Sequence, residues 1–529
     1  MAETSQNGHI DAEAITPYTM HVSSRYLELT KKKLELTRLP RELELPESRK
    51  WEHGTPKAVL EPLLDFWLDG YDWRAAEAQF NASLPQFRTT VTIPSAADDS
   101  ASHSLRIHFV HKQSKHPNAI PLLICHSWPS SFIEVQRIIG ALTDPHSLPS
   151  FGDGAQQAFH VVAPSIPGFG FSDASSSLDF GVRETADVFD GLMSRLGYKQ
   201  YVAHGIGWGF SICRALAMQH PQHCLAVHTA NPSFAEPTVR RGPIAFLKYR
   251  VAKLTKGKLP MLSFGYVPNE LQPQAIPAIT SPKHNSLYSD RPLGLTLHRL
   301  YSLRPQTLSF SLCDSPVGLL AALLDVIHTR VPSGSPLTSR SRSPFLSPVE
   351  LEMQESNHVQ AQPGHERVQS DSTVRAHPLS PRQSEMDVRN YTWSPTEILN
   401  WTMMQWLPGP ESSLQWLRQA HLDTTVPQWN DYCATPLGIS SFRARNSNKT
   451  TPLMWGSTSW QIGWVRTDHN LSTHQICANM GLSPQVKRHQ RPATLPAWEA
   501  PDLLVLDLRE CFGAFLTDGK LANLPLTAS

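Results

Sequence analysis

The spacing of hydrophobic and polar positions changes period several times along the chain, and each change marks a new element. After a polar stretch over residues 1–16, Leu27, Leu29, Leu34 and Leu36 recur near helical spacing among Lys and Glu until Pro40 interrupts them. Residues 52–87 predict two further helices anchored by Phe66, Trp67, Tyr71 and Trp73. Apolar stripes at that spacing serve core packing, so residues 17–90 read as a helical arm laid on the domain that follows. Residues 104–111 (SLRIHFVH) then alternate as a strand, and residues 120–125 (IPLLIC) and 158–164 (AFHVVAP) are continuous apolar runs suited to strands buried on both faces. A helix is expected over residues 132–142, and another follows the Gly/Pro loop at 165–173 (SIPGFGFSD) as far as Met193. Residues 201–203 enter a sharp turn, residues 210–220 return to helical spacing, and residues 224–231 (CLAVHTAN) resume the strand series. Strands and helices alternating in this order predict an α/β architecture with a mostly parallel, doubly wound sheet.

Beyond residue 235 the strand signal gives way to helical spacing, which reads as a cap over the C-terminal strand ends, where ligands bind in open α/β sheets. Residues 332–388 are rich in Ser, Pro and Gln with few apolar groups, and read as a disordered low-complexity insertion. Helical spacing returns at residue 394, a strand is expected at 435–441, a poorly defined one before Ala497, and a closing helix at 500–515. Residues 443–494 depart from the pattern and, like 332–388, read as inserted or mistranslated sequence. The division is a tail at 1–16, the arm at 17–90, a first core segment at 91–234, a cap at 235–331 continued at 389–434, and a second core segment at 435–529.

Composition narrows the function. A net charge of +1 with 18% charged residues gives no basic or acidic surface of the kind that recruits nucleic acid. Seven cysteines without CxxC or zinc-type spacing indicate neither a disulfide framework nor a metal site, and no cofactor is expected. The first twenty residues lack a basic segment followed by an apolar run, and no apolar stretch is long enough to span a membrane, so a cytoplasmic location is expected.

The chemistry centres on the turn at Gly205-Ile206-Gly207-Trp208-Gly209. A buried strand, a five-residue turn with small residues at both ends and a following helix form the small-x-nucleophile-x-small elbow of the α/β-hydrolases. The central position ordinarily carries a side chain with a lone pair that attacks carbon. Here it is Gly207, which has none.

Six motifs in order resemble the epoxide hydrolases of the microsomal type and their fungal relatives, over roughly residues 17–515. They are TRLP with WEHGTP in the arm, HSWP at 126–129, PSIPGFGFSD at 164–173, GIGWG at the elbow, RPQTLSFSLCDSPVGLLA in the cap and PAWEAPDLLVLDLREC at the end. The resemblance implies an α/β-hydrolase fold with a helical N-terminal arm and a helical cap, acting on an epoxide. In that family an elbow Asp attacks the epoxide carbon, a His backed by an acid hydrolyses the resulting ester, and two cap tyrosines protonate the ring oxygen. Carried over by position, the nucleophile falls at Gly207, the acid at Arg445, the histidine at Thr494 and the tyrosines at Leu297 and Gln405. None of the five has the expected chemical group.

Other residues can be considered for the vacant roles. His489 stands five residues before Thr494 and is a candidate base, against the plainer reading of an exposed loop histidine. Tyr301, one helical turn beyond Leu297, is a candidate proton donor or a packing aromatic. The amides of Trp128 and Trp208 stand where the family forms its oxyanion hole, and Ser127 replaces the usual glycine between them in the HSWP loop. Asp468 and Glu499 are carboxylates expected at the surface, and Asp314 is expected to cap the helix that follows it. The leading reading is an epoxide-hydrolase-like enzyme that opens an epoxide of a hydrophobic, polyketide-like small molecule in secondary metabolism, without the covalent ester. The alternative is a catalytically silent relative that binds a hydrophobic ligand or a partner enzyme in the same pocket.

Overall fold

The computed structural model describes residues 14–94, 102–147, 157–264 apart from 241, 257 and 258, positions 266 and 271, and residues 304–329, 391–443, 452–465, 489–522 and 524. A nine-stranded sheet forms the centre, in the order β1-β2-β3-β5-β4-β6-β7-β8-β10. The strands are β1 (Thr16–Pro17), β2 (Gln86–Pro94), β3 (Ser102–Lys112), β4 (Ile120–Cys125), β5 (Phe159–Pro164), β6 (Tyr201–Gly205), β7 (Cys224–Ala230), β8 (Cys433–Ser440) and β10 (Trp460–Val465). From β5 to β10 every neighbouring pair is parallel, and β1, β2 and β3 extend the sheet antiparallel at one edge. A separate parallel pair joins β9 (Phe442–Arg443) to β11 (His489–Pro492).

The side-chain period of two along a strand sends alternate residues to opposite faces. Ile120, Leu122, Val202 and Ala226 enter one core, and Leu123, Tyr201, Ala203 and Val227 the other. The first core is covered by the N-terminal helices α1 (Ser24–Glu35), α2 (Lys57–Asp69) and α3 (Trp73–Ser83) together with the closing helix α12 (Pro501–Thr517). The second is covered by α5 (Val182–Arg195), α6 (Trp208–Gln219) and α11 (Pro410–Asp423). Between them in the chain lie the short α4 (Ile139–Thr143), α7 (Pro243–Leu254), α8 (Pro305–Leu312), α9 (Pro316–Thr329) and α10 (Pro395–Trp406).

Local signals fix several boundaries. The Asp72 carboxylate caps α3 by accepting from the amide of Arg74 at 2.8 Å, and Ser394 and Glu397 form a reciprocal capping box at the start of α10. At α9 the amide of Gly318 donates to the Ser315 hydroxyl at 2.9 Å, while Asp314 instead pairs with Lys33 of α1. Asp314 therefore ties the arm to the cap helices, and its expected capping role belongs to Ser315.

Strand β2 straddles the boundary drawn at residue 90, so the last residues of the stretch read as a helical arm belong to the sheet, and β10 lies inside the stretch read as inserted. Residues 332–388 fall outside the described residues. Among the described residues no single helix is long and apolar enough to cross a membrane.

Candidate active site

Strand β6 ends at Gly205 and α6 begins at Trp208, so the chain reverses direction within two residues. Close packing explains the small residues at the corner. A Cβ on Gly209 would lie 2.0 Å from the Cys125 carbonyl oxygen, and one on Gly205 would lie 2.5 Å from the Gly209 backbone. Between them Gly207 has φ 53 and ψ −121, a combination that side-chain-bearing residues adopt only under strain, and it is exposed to solvent. The elbow is thus formed and open, with no atom beyond the backbone at its apex.

The neighbouring loop after β4 is packed against it. The amide of Trp208 donates to the Ser127 hydroxyl at 3.0 Å, and Ser127 is wholly buried. That amide is one of the two expected at the oxyanion hole, so the serine side chain engages it in place of a ligand oxygen. His126 accepts the amide of Ile166 at 3.0 Å through Nε2, which places its proton on Nδ1, and burial pushes it down to about 4. It joins two loops as a neutral ring. From α10, the Gln405 side-chain amide donates to the carbonyls of Pro129 and Ser130 at 3.0 and 3.2 Å. Gln405, expected from the resemblance at one of the cap tyrosine positions, is a carboxamide that supports the loop but cannot deliver a proton to an alkoxide.

A histidine with a carboxylate partner lies beyond β8. His489 on β11 is buried, stacks on Phe442 with ring centres 4.6 Å apart, and has Nε2 2.7 Å from Asp507 Oδ2 on α12. The expectation of an exposed loop histidine is corrected: the ring packs under β9 because its amide pairs with the Ser441 carbonyl at 2.8 Å. Asp507 also accepts the Ser440 hydroxyl at 2.5 Å, and His228 Nε2 lies 3.0 Å from that hydroxyl oxygen. His204 Nδ1 in turn lies 3.0 Å from His228 Nδ1.

A carboxylate only accepts, so the direction of the whole chain follows. Ser440 donates to Asp507, His228 donates from Nε2 to Ser440, and His204 donates from Nδ1 to His228. Burial holds His204 down to about 4 and His228 well below its ordinary value, so both are neutral near pH 7. With Nε2–H given to Asp507, a neutral His489 keeps its lone pair on Nδ1. The sequence shows no spacing for Asp507, Ser440, His228 and His204, because they come from α12, β8, β7 and β6 and meet only across the sheet.

Thr494, expected from the resemblance at the family's histidine position, donates its amide to Glu499 at 2.6 Å, as Leu495 does at 3.1 Å. Glu499 is buried, not at the surface, and also accepts from the indole of Trp393 at 2.9 Å. It shapes the loop as a structural acceptor. Tyr301, Leu297, Arg445 and Asp468 lie outside the described residues. Trp128 is buried beside Ser127, and a cleft lined by Phe210, Ser211, Phe234 and Trp460 opens along the first turn of α6.

Residues 15–135 match the sequence family described as the epoxide hydrolase N terminus, and residues 120–260 match the alpha/beta hydrolase fold. An epoxide hydrolase N-terminal segment thus precedes an alpha/beta hydrolase fold in this chain. A candidate epoxide hydrolase of Stigmatella aurantiaca is 33% identical over 338 residues, 64% of this chain and 66% of that protein. Epoxide hydrolase 1 of Sus scrofa is 30% identical over 321 residues, 60% of this chain and 63% of its own length. The alignment therefore spans a little under two thirds of the length of these two curated relatives. The solved structure of Aspergillus niger epoxide hydrolase superposes with a TM-score of 0.57 at 21% identity, covering 96% of both chains, and supports the fold.

Proposed function

We propose that this epoxide hydrolase relative opens an epoxide on a hydrophobic small molecule by direct attack of water, with no covalent ester to the protein. The observation that carries the reading is the buried His489–Asp507 pair, which follows β10 in chain order and offers a base nitrogen oriented by a carboxylate. Gly207 replaces the family's attacking aspartate, so an alkyl-enzyme bond has no atom to form on at the elbow. The open corner leaves room at that point for a water molecule. The polyketide-like class of substrate rests on likeness to fungal members of the family. A cytoplasmic location agrees with the free thiols of the six described cysteines.

Turnover of styrene oxide tests the proposal. The wild-type chain is expected to form diol above the uncatalysed rate, and His489→Gln to lower that rate by about 10²-fold or more at an unchanged fold. Asp507→Asn is expected to act in the same direction, because an amide cannot hold the same imidazole tautomer. Unchanged rates in both folded variants would remove the pair from the mechanism.

The second reading, a silent relative that only binds, has its own support in the Ser127–Trp208 contact and in Gln405. Both fill positions where catalysis in the family places a polar partner for the substrate. Binding of the epoxide with no diol above the blank, on styrene oxide and on larger hydrophobic epoxides alike, would favour it.

A further inference from the structure

At the opposite end of the sheet from the elbow, the far end of α6 faces α5 across a cluster of two histidines and two aspartates. Twelve residues of α6 separate this cluster from Gly207, about 18 Å at the rise of an α-helix. We propose that Asp190, His220 and His223 form a binding site for a divalent transition-metal cation, for which zinc is the natural probe.

The donor geometry carries the proposal. Asp190 Oδ2 lies 3.0 Å from His223 Nδ1 and 3.4 Å from His220 Nδ1, and the three donor atoms fall within 4.8 Å of one another. Donors at 2.0–2.1 Å from a tetrahedral ion stand roughly 3.3 Å apart, so the two Asp190–histidine distances already fit, and the two ring nitrogens, within 4.8 Å of each other, need only draw together to admit the cation. Two imidazole nitrogens and one carboxylate oxygen form a set suited to Zn²⁺, Ni²⁺, Cu²⁺ or Co²⁺, and unsuited to Ca²⁺ or Mg²⁺, which prefer all-oxygen shells. The side chain of His223 is 47% exposed, so a cation has a path in from solvent and water can complete its shell.

The groups around the cluster hold its donors in place. Asp187 Oδ1 lies 2.7 Å from His220 Nε2, which turns Nδ1 toward Asp190, the carboxylate–histidine–metal arrangement that orients a ligating ring. The buried Tyr201 hydroxyl donates to Asp190 Oδ1 at 2.8 Å and holds that carboxylate toward the rings. Gln219 donates to Asp187 at 2.8 Å and fixes the outer carboxylate. The two rings lie nearly parallel, with planes 6° apart and centres 6.0 Å apart. Sequence spacing pointed to no metal site because the ligands are split between α5 and the turn after α6, with His220 standing 30 positions after Asp190.

The same contacts also suit a hydrogen-bonded His/Asp network without an ion, and the experiment separates the two. The full chain, stripped with chelator, is titrated with ZnCl₂ by calorimetry alongside His223→Gln and Asp187→Asn. Wild type is expected to bind one more zinc equivalent than His223→Gln and to gain several degrees of thermal midpoint that the variant does not gain. Asp187→Asn is expected to keep the site and weaken it by about 10–100-fold. Titration with Co²⁺ should give a d–d absorption band in wild type that is absent in His223→Gln. Equal zinc stoichiometry and affinity in wild type and His223→Gln, with both folded, would overturn the proposal.

Discussion

At Gly207 the backbone keeps the corner of a nucleophile elbow, and glycine holds it without the strain that a side chain would add. Gly207→Asp is therefore expected to destabilise the fold by about 1–3 kcal/mol, seen as a thermal midpoint several degrees lower, while creating an atom that can attack an epoxide. Trapping of an ester by intact-protein mass spectrometry checks the second part. Ser127 gives a companion prediction. Its hydroxyl engages the Trp208 amide, and that amide matters to chemistry only where an oxyanion develops, which the direct-water route does not require. Ser127→Gly should leave the native rate within a few-fold, yet speed ester breakdown in the Gly207→Asp background by about 10²-fold, the effect of restoring one oxyanion donor. Single-turnover decay of the trapped ester in the two backgrounds measures it. The elbow was legible in the sequence because its signature is local, small residues at 205 and 209 around a strand–helix switch, even though the backbone that requires a glycine at 209 is that of Cys125 in β4. Asp507 was not, since nothing in LDLREC separates a network carboxylate from one on a helix surface.

Among the elements, α10 shows how a cap helix supports the site without chemistry of its own. Gln405 closes two buried carbonyls of the loop after β4, so Gln405→Leu should cost about 1–3 kcal/mol by leaving them unsatisfied. Urea unfolding of the variant checks this, and a change below 0.5 kcal/mol would contradict it. The buried parallel strands β4, β5, β6 and β7 were legible as apolar runs because both of their faces are covered. The missed strands lie nearer the sheet edges. In β2, alternate positions remain partly exposed beside β1, and β10, paired among the described residues with β8 alone, has a register shift at Ile462. An edge strand with one half-covered face carries a mixed pattern that resembles loop. His489 was placed in the right region, yet its burial depends on the β9–β11 pairing, a contact between segments far apart in sequence.

For the molecule as a whole, buried neutral histidines set the acid limit of stability. His126 and His204 are each held from 6.5 down to about 4 by burial. Between those values the unfolded chain binds more protons than the folded one, so stability is present above pH 6.5 and is lost as pH falls toward 4. Each ring contributes on the order of 3 kcal/mol over that window. The urea midpoint is expected to fall sharply between pH 7 and pH 5, above the range where most carboxylates titrate, and a flat midpoint would contradict the burial of these rings as neutral groups.

The central claim is that oxygen reaches the epoxide from water and never from the protein. One turnover in H₂¹⁸O with protein in excess over styrene oxide tests it directly. The account predicts that diol from that first turnover carries the solvent label in full. Diol that is unlabelled in the first turnover, its oxygen taken from a protein carboxylate, would contradict it.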